Sequence, residues 1–176
     1  MRSPFDILAE YERRSLAHAV PLPVRELASN IWRGIGYRIG EHRLVSTFAE
    51  VVEITVLPLV THVPGARPWL VGIGNLRGNL FSVVDMKLFF EGVRTPMYEG
   101  QRVLIVRQQG GDVALVIDEL YGQRSFTEDQ EIDPAPLKQE RYAPFINRAF
   151  RSEDSVWGVF SLSQLGNTPQ FRHAAA

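Results

Sequence analysis

The sequence predicts a mainly β protein made of two small barrel-like halves, with a helical extension at the N-terminus. About nine short apolar runs alternate with turn residues at intervals of roughly eight to twelve positions, a pattern that favours small barrels or a sandwich over parallel βαβ units. The runs form two blocks, which a linker at residues 91–100 with two glycines and a proline separates. Helical signals are found at the N-terminus, so the helices are expected to be peripheral.

The first 30 residues carry the helical signals. Ser3 can cap a helix whose first turn holds Pro4 and Asp6. Apolar residues then recur at roughly helical spacing: Phe5, Leu8, Tyr11 and Leu16. We expect a helix from about Pro4 to Ala19, which two following prolines end because proline cannot extend the hydrogen-bond ladder. A second short helical stretch is expected over about Val24 to Asn30.

The remaining chain is predicted to form hairpins. Polar and glycine-containing turns separate apolar runs whose alternation fixes one face of each strand. The predicted pairs are 31–39 with 44–45, 72–76 with 80–85, 102–106 with 113–120, and 145–150 with 156–162. Residues 51–56 are expected to form a further strand, and residues 57–68, with three prolines, a defined loop. Residues 129–136 are also expected to be a loop.

Composition excludes several classes of protein. The 176 residues carry 19 basic and 20 acidic side chains, so no global field attracts nucleic acid or an anionic membrane. There is no cysteine, which removes disulfides, thiolate zinc sites and cysteine nucleophiles. The apolar runs are far shorter than the roughly 20 residues of a membrane helix, and Glu10 and Glu12 interrupt any signal-like segment. A cytoplasmic location is therefore expected.

No pattern of an enzyme or a metal site is found. The four histidines are scattered and do not have the spacing of a metal pair: His18, His42, His62 and His173. Gly72 and Gly74 lack the third glycine and the following helix of a dinucleotide loop. Acidic residues that follow apolar strands are expected to cap turns or meet solvent: Asp85, Asp118 and Glu119. We therefore expect no catalytic residue, no cofactor and no metal.

A small-barrel nucleic-acid-binding protein is the alternative, and a hydrolase with an unrecognised site is a third. Tyr37, Trp69 and Phe81 can in principle stack on bases. However, Arg13 and Arg14 are the only adjacent Lys/Arg pair, which is too little for a phosphate-tracking groove.

Four ordered segments resemble the CheW-like domain of chemosensory coupling proteins. They are Val51-Val52-Glu53-Ile54, residues 61–66, residues 71–78, and Val83-Val84-Asp85-Met86. The Asn75-Leu76-Arg77-Gly78 segment is the best signature. The likeness continues through residues 103–106 and 115–119 and covers about residues 35–165. The N-terminal segment 4–8 and the entry strand 32–37 resemble the branch that serves type IV pilus twitching motility, the PilI type.

The resemblance implies a fold of two five-stranded SH3-like barrels. We accordingly expect a helical extension over 1–30, a CheW-like domain over 31–166 with two intertwined barrel subdomains and their junction near 91–100, and a short tail over 167–176. It also implies a non-enzymatic adaptor, recruited to receptor arrays at the membrane, that couples a methyl-accepting chemotaxis receptor to a CheA-type histidine kinase.

The resemblance further implies two sets of contact residues. The first barrel is expected to dock on the kinase's CheW-like regulatory domain through Val51, Val52, Glu53 and Arg77, with Glu53 and Arg77 paired. The tip of the receptor's helical hairpin is expected in an apolar groove whose walls include Asn75, Leu76, Gly78, Val103, Ile105, Val113 and Ala114.

Overall fold

The computed structural model describes residues 4–17, 31–108, 110–137, 141–153 and 155–174. The predicted cap at Ser3, the helical stretch over 24–30 and His18 lie outside these residues. The described helices are α1 Pro4–Ala17, α2 Met86–Glu91, α3 Leu162–Gly166 and α4 Pro169–Arg172. The described strands are β1 Ile31–Ile39, β2 His42–Ser46, β3 Val51–Val56, β4 Val60–Thr61, β5 Leu70–Leu76, β6 Asn79–Asp85, β7 Arg102–Gln108, β8 Gly111–Val116, β9 Glu119–Thr127, β10 Glu131–Ile132, β11 Ile146–Ser152 and β12 Ser155–Phe160.

The strands form two sheets that interleave along the chain. One has the order β3-β7-β8-β6-β5-β4 and comes from the middle of the chain, and we call it the middle barrel. The other has the order β10-β11-β12-β2-β1-β9 and combines strands from both ends of the β region, and we call it the terminal barrel. The four predicted hairpins are present as β1–β2, β5–β6, β7–β8 and β11–β12.

A bent strand closes each sheet into a five-stranded barrel. β3 pairs with β7, and the same run of chain continues after three residues into β4, which pairs with β5 at the other end of the sheet. In the terminal barrel β9 pairs with β1, and after a 3-10 turn at Glu128–Gln130 β10 pairs with β11. Counting each bent strand once gives two five-stranded barrels, which confirms the predicted fold class.

The two barrels share one topology. Each joins two hairpins through a parallel pair, β6 with β8 in the middle barrel and β12 with β2 in the terminal barrel. In the middle barrel the chain links the parallel strands through α2, the linker and β7. In the terminal barrel β12 and β2 belong to opposite ends of the β region, so no direct connection joins them.

The expectation that residues 91–100 divide the two barrels is wrong. β7 and β8 follow this linker but pair with β3 and β6, which precede it. The linker is instead part of a crossover, because parallel neighbours such as β6 and β8 need a connection of a dozen or more residues, usually with a helix. That helix is α2, which was not predicted from the sequence.

Asp85 holds the crossover in place, in the capping role predicted for it. Its Oδ1 accepts from the backbone N–H of Leu88 at 3.1 Å and so caps α2. The linker is fastened to the same carboxylate, since the Thr95 N–H donates to Oδ2 at 2.9 Å and the Thr95 hydroxyl to Oδ1 at 2.8 Å. Both residues are buried.

The core has three parts. Buried residues of both barrels and of α2, α3 and α4 form a large inter-barrel core, which includes Phe90, Tyr142, Phe145 and Phe160. The middle barrel encloses a separate apolar cluster, and the terminal barrel encloses an aromatic one with Phe126, Phe150 and Trp157. No helix among the described residues is long and apolar enough to cross a membrane.

Candidate protein-docking surface

The signature segment forms the tight turn between β5 and β6. Leu76 pairs with Asn79, which leaves Arg77 and Gly78 as the two turn residues, with φ of 53° and 89°. Positive φ at both positions is characteristic of a type I′ hairpin turn. The Gly78 N–H donates to Asn75 Oδ1 at 2.9 Å, which fixes the turn from within. Asn79, expected in the turn, is the first residue of β6.

Arg77 and Glu53 form the ion pair expected from the resemblance. Arg77 Nη2 lies 3.4 Å from Glu53 Oε1. In the sheet order β3 and the β5–β6 hairpin are far apart, so this pair spans the seam where the middle barrel closes. The Arg77 side chain is 76% exposed. An exposed pair of this kind contributes only about 0–1 kcal/mol to stability, so most of the guanidinium remains available to a partner.

Exposed apolar side chains occur on the same barrel. Val52 and Val56 of β3 are 46% and 41% exposed, and Leu80 at the start of β6 is 70% exposed. Val51, by contrast, packs against the inter-barrel core. Of the two valines proposed for the kinase contact, Val52 is therefore the one with the larger free surface. Neither Val56 nor Leu80 was predicted to be a contact residue. The only signal in the sequence was that each lies three positions from a predicted contact residue, Glu53 or Arg77.

Three residues expected to line a receptor groove are in the interior. Val103, Ile105 and Ala114 are at most 5% exposed and belong to the core of the middle barrel. The physical reason is that β7 lies between β3 and β8 with both faces covered, because Leu104 and Val106 pack in the inter-barrel core. These three positions cannot contact a partner directly, so the expectation that they line a receptor groove is wrong. Asn75 and Gly78 are exposed, and Leu76 and Val113 are half-buried.

Two of the three aromatics considered for base stacking are also unavailable. Tyr37 and Phe81 are buried, and the Tyr37 hydroxyl is hydrogen-bonded to Ser46 Oγ at 2.8 Å. Burial raises the pKa of the Tyr37 phenol well above its ordinary value, against a smaller lowering by the Ser46 hydrogen bond. Trp69 packs edge-on against Phe89 and stacks on Phe171. The nucleic-acid alternative therefore loses its proposed platform.

The described histidines have different surroundings. The His42 ring contacts the Tyr142 ring, with centroids 4.3 Å apart, whereas His62 and His173 are exposed. Within the described ranges no three His, Asp or Glu side chains are grouped so that they can hold a metal ion. The features that stand out are thus apolar and charged surfaces of two fused barrels, which suit contacts with other proteins.

The chain belongs to the CheW-like domain family, whose sequence profile matches residues 33–170. It is therefore a CheW-like scaffold or coupling protein. More particularly, it is 31% identical over 175 residues to the protein PilI of Pseudomonas aeruginosa, across 99% of this chain and 98% of that protein. It is also 28% identical over 102 residues to the chemotaxis protein CheW of Helicobacter pylori, across 58% of this chain and 61% of that protein.

A solved structure has the same fold. The scaffolding protein TtCheW of Thermoanaerobacter tengcongensis superposes with a TM-score of 0.64 at 21% identity, over 78% of this chain and 94% of that one. The two-barrel architecture is therefore the architecture of a CheW scaffold.

Proposed function

We propose that this protein is a non-enzymatic adaptor that couples a methyl-accepting chemotaxis receptor to a CheA-type histidine kinase, in a chemosensory array that controls type IV pilus twitching motility. The observation that carries the proposal is the likeness to PilI over nearly the whole of both chains, N-terminal extension included. The adaptor acts in the cytoplasm and is recruited to receptor arrays at the membrane.

The kinase-directed surface in this proposal surrounds the Glu53–Arg77 pair. Val52, Val56 and Leu80 supply exposed apolar area on the same barrel, and the ion pair supplies directional charge. An apolar centre with polar groups beside it is the usual composition of a protein interface, and arginine is over-represented among residues that dominate binding energy. The occupant is the kinase's own CheW-like regulatory domain.

The receptor-directed surface uses the residues that the fold leaves accessible: Asn75, Leu76, Gly78 and Val113. Val113 lines a cleft of about 320 Å³ between β6, the β7–β8 turn and α4, together with Ser82, Gln108 and Phe171. A shallow cleft with an apolar wall suits the tip of a helical hairpin, in the helix-in-groove mode.

Reversing the charge of Arg77 tests the kinase contact. We expect Arg77→Glu to weaken binding to the kinase regulatory domain at least about tenfold, because the substitution reverses the charge beside Glu53 and removes the guanidinium donors. Titration calorimetry with the isolated regulatory domain measures the loss. Arg77→Asn separates the contact from the fold, since asparagine tolerates the left-handed conformation and removes the charge.

Arg151→Glu is the matched control, because it reverses an exposed arginine on β11, in the terminal barrel rather than the middle barrel. Circular dichroism and urea unfolding establish that all three variants are folded. A folded Arg77→Glu protein that binds the regulatory domain as tightly as the wild type would show that this surface is not the kinase contact.

A further inference from the structure

The side chain of Gln108, the last residue of β7, lies against helix α3. Its Nε2 donates to the Leu162 carbonyl at 3.1 Å. This bond fixes which way the amide points, because only its nitrogen can donate to a carbonyl. Gln108 and Gly166, the last residue of α3, both line the cleft of about 320 Å³ that contains Val113. The Gln108 amide is therefore a fixed polar group in the wall of the Val113 cleft.

Gly166 is the residue that allows the amide this position. It is not among the glycines with positive φ, so its backbone conformation does not require a glycine. A Cβ placed on Gly166 would instead overlap the Oε1 and Cδ atoms of Gln108. An alanine at position 166 would therefore push the end of this flexible side chain away from α3 and break its bond to Leu162. The backbone of α3 would not have to move.

The Gln108 oxygen is an acceptor without a donor. Among the described residues no N–H or O–H group is bonded to Gln108 Oε1, although an amide oxygen can accept two hydrogen bonds. Gln108 is half-buried, so a partner that fills the Val113 cleft removes water from this oxygen. A partner that brings no donor leaves the oxygen buried and unpaired, which disfavours binding. The cleft is thus selective for a partner with a hydrogen-bond donor at this point.

The tip of a helical hairpin carries donors of this kind. Its turn ends where the second helix begins, and the first four backbone N–H groups of a helix have no partner within that helix. We propose that Gln108 Oε1 accepts a hydrogen bond from one of these N–H groups of the receptor tip, and that Gly166 is the positioning residue for this contact. The inference rests on the proposed function, which assigns the receptor tip to the Val113 cleft.

Titration calorimetry with the full chain tests the contact. The probes are purified cytoplasmic hairpin fragments of the organism's methyl-accepting receptors. We expect Gln108→Ala, which removes the acceptor, to weaken binding about three- to tenfold. Gly166→Ala displaces the amide and should cause a similar loss. The double variant Q108A/G166A should bind like Gln108→Ala alone, because no amide remains to be displaced.

Gln108→Lys separates the acceptor from the bond that anchors the side chain to α3. A lysine can still donate to the Leu162 carbonyl but has no acceptor, so this variant should also bind at least about threefold more weakly. Gln164→Ala is the matched control, because Gln164 is an exposed glutamine of α3 that does not line the cleft. It should bind like the wild type. Urea unfolding establishes that every variant is folded.

Two results would overturn the contact while leaving the receptor role intact. One is a wild type that binds a receptor fragment no more tightly than folded Gln108→Ala or Gln108→Lys. The other is a double variant whose loss equals the product of the two single losses, since Gly166 would then act independently of Gln108. A wild type that binds none of the fragments would overturn the proposed receptor role, and this inference with it.

Discussion

The backbone conformation of Arg77 costs stability, and its side chain is proposed to bind a partner. Its φ of 53° lies in the left-handed region, which costs a residue other than glycine roughly 1–2 kcal/mol. The exposed ion pair with Glu53 recovers at most about 1 kcal/mol of that. Strain of this kind is common at functional sites, where the surrounding structure imposes it. The balance supports a role for Arg77 in binding rather than in stability.

Tyr37 gives a pH-dependent prediction at the same scale. Its pKa is raised by burial, so the folded state keeps the phenol protonated while the unfolded state releases the proton near pH 10. The stabilising contribution is therefore complete below about pH 10 and is lost as the pH rises towards the folded-state pKa. One proton corresponds to about 1.4 kcal/mol per pH unit.

We expect Tyr37→Phe to flatten the alkaline fall in unfolding free energy by up to about 1.4 kcal/mol per pH unit. At neutral pH the variant loses about 1 kcal/mol with the hydrogen bond to Ser46. Urea unfolding between neutral pH and pH 11 measures both effects. Tyr98→Phe, at an exposed position, is the control, and an alkaline slope that is the same in Tyr37→Phe and the wild type would contradict the prediction.

At the scale of elements, the short helices are more important than their length suggests. The tail predicted after residue 166 contains α4, and its Phe171 is buried against the aromatic ring of Trp69 and the edge of Phe89. Phe89 belongs to α2, so these ring contacts join α2 to the C-terminal end of the described chain. α4 therefore anchors the C-terminal end of the described chain to the inter-barrel core.

Removal of the Phe171 ring tests this anchoring contact. We expect Phe171→Ala to lower the free energy of unfolding by about 3 kcal/mol, since it deletes a buried aromatic side chain. Gln170→Ala, at the neighbouring exposed position, should change it by less than about 0.5 kcal/mol. Both values come from urea unfolding. Equal stability of the two variants would mean that α4 does not contribute to the core.

At the scale of the whole molecule, the two barrels share one core. Strands of both barrels contribute to the inter-barrel cluster, with Leu104 from the middle barrel and Phe160 from the terminal barrel. The chain also passes from the terminal barrel into the middle barrel and back again. Neither barrel can open fully without exposing apolar surface of the other, so the protein is expected to unfold in a single transition.

Phe160→Ala is the test of this cooperativity. The substitution removes a fully buried ring from the terminal barrel's side of the shared core and should cost about 3–5 kcal/mol. Native-state hydrogen exchange should then show the same loss of protection for slowly exchanging amides of β7 and β8 as for those of β1 and β2. Unchanged protection in β7 and β8 would show that the barrels unfold independently.

Interactions between residues close in sequence were sufficient to predict the local parts of the fold. The hairpin at Arg77-Gly78 and the cap at Asp85 were predictable, because turn geometry and helix capping depend on residues two to four positions apart. Helix α2 was missed because six residues are too few to show helical periodicity, and its two phenylalanines are equally compatible with a strand.

By itself, the sequence determined the β class, the hairpins and the family likeness, and that likeness implied the pairing of Glu53 with Arg77. Only the tertiary structure decided which strands share a barrel and which of the expected contact residues are accessible. The physical reason is that alternation indicates which side chains lie on the same face of a strand. Whether that face meets solvent or another layer depends on contacts between segments far apart in the chain. Val103 and Ile105 of β7, which are buried inside the middle barrel, illustrate this.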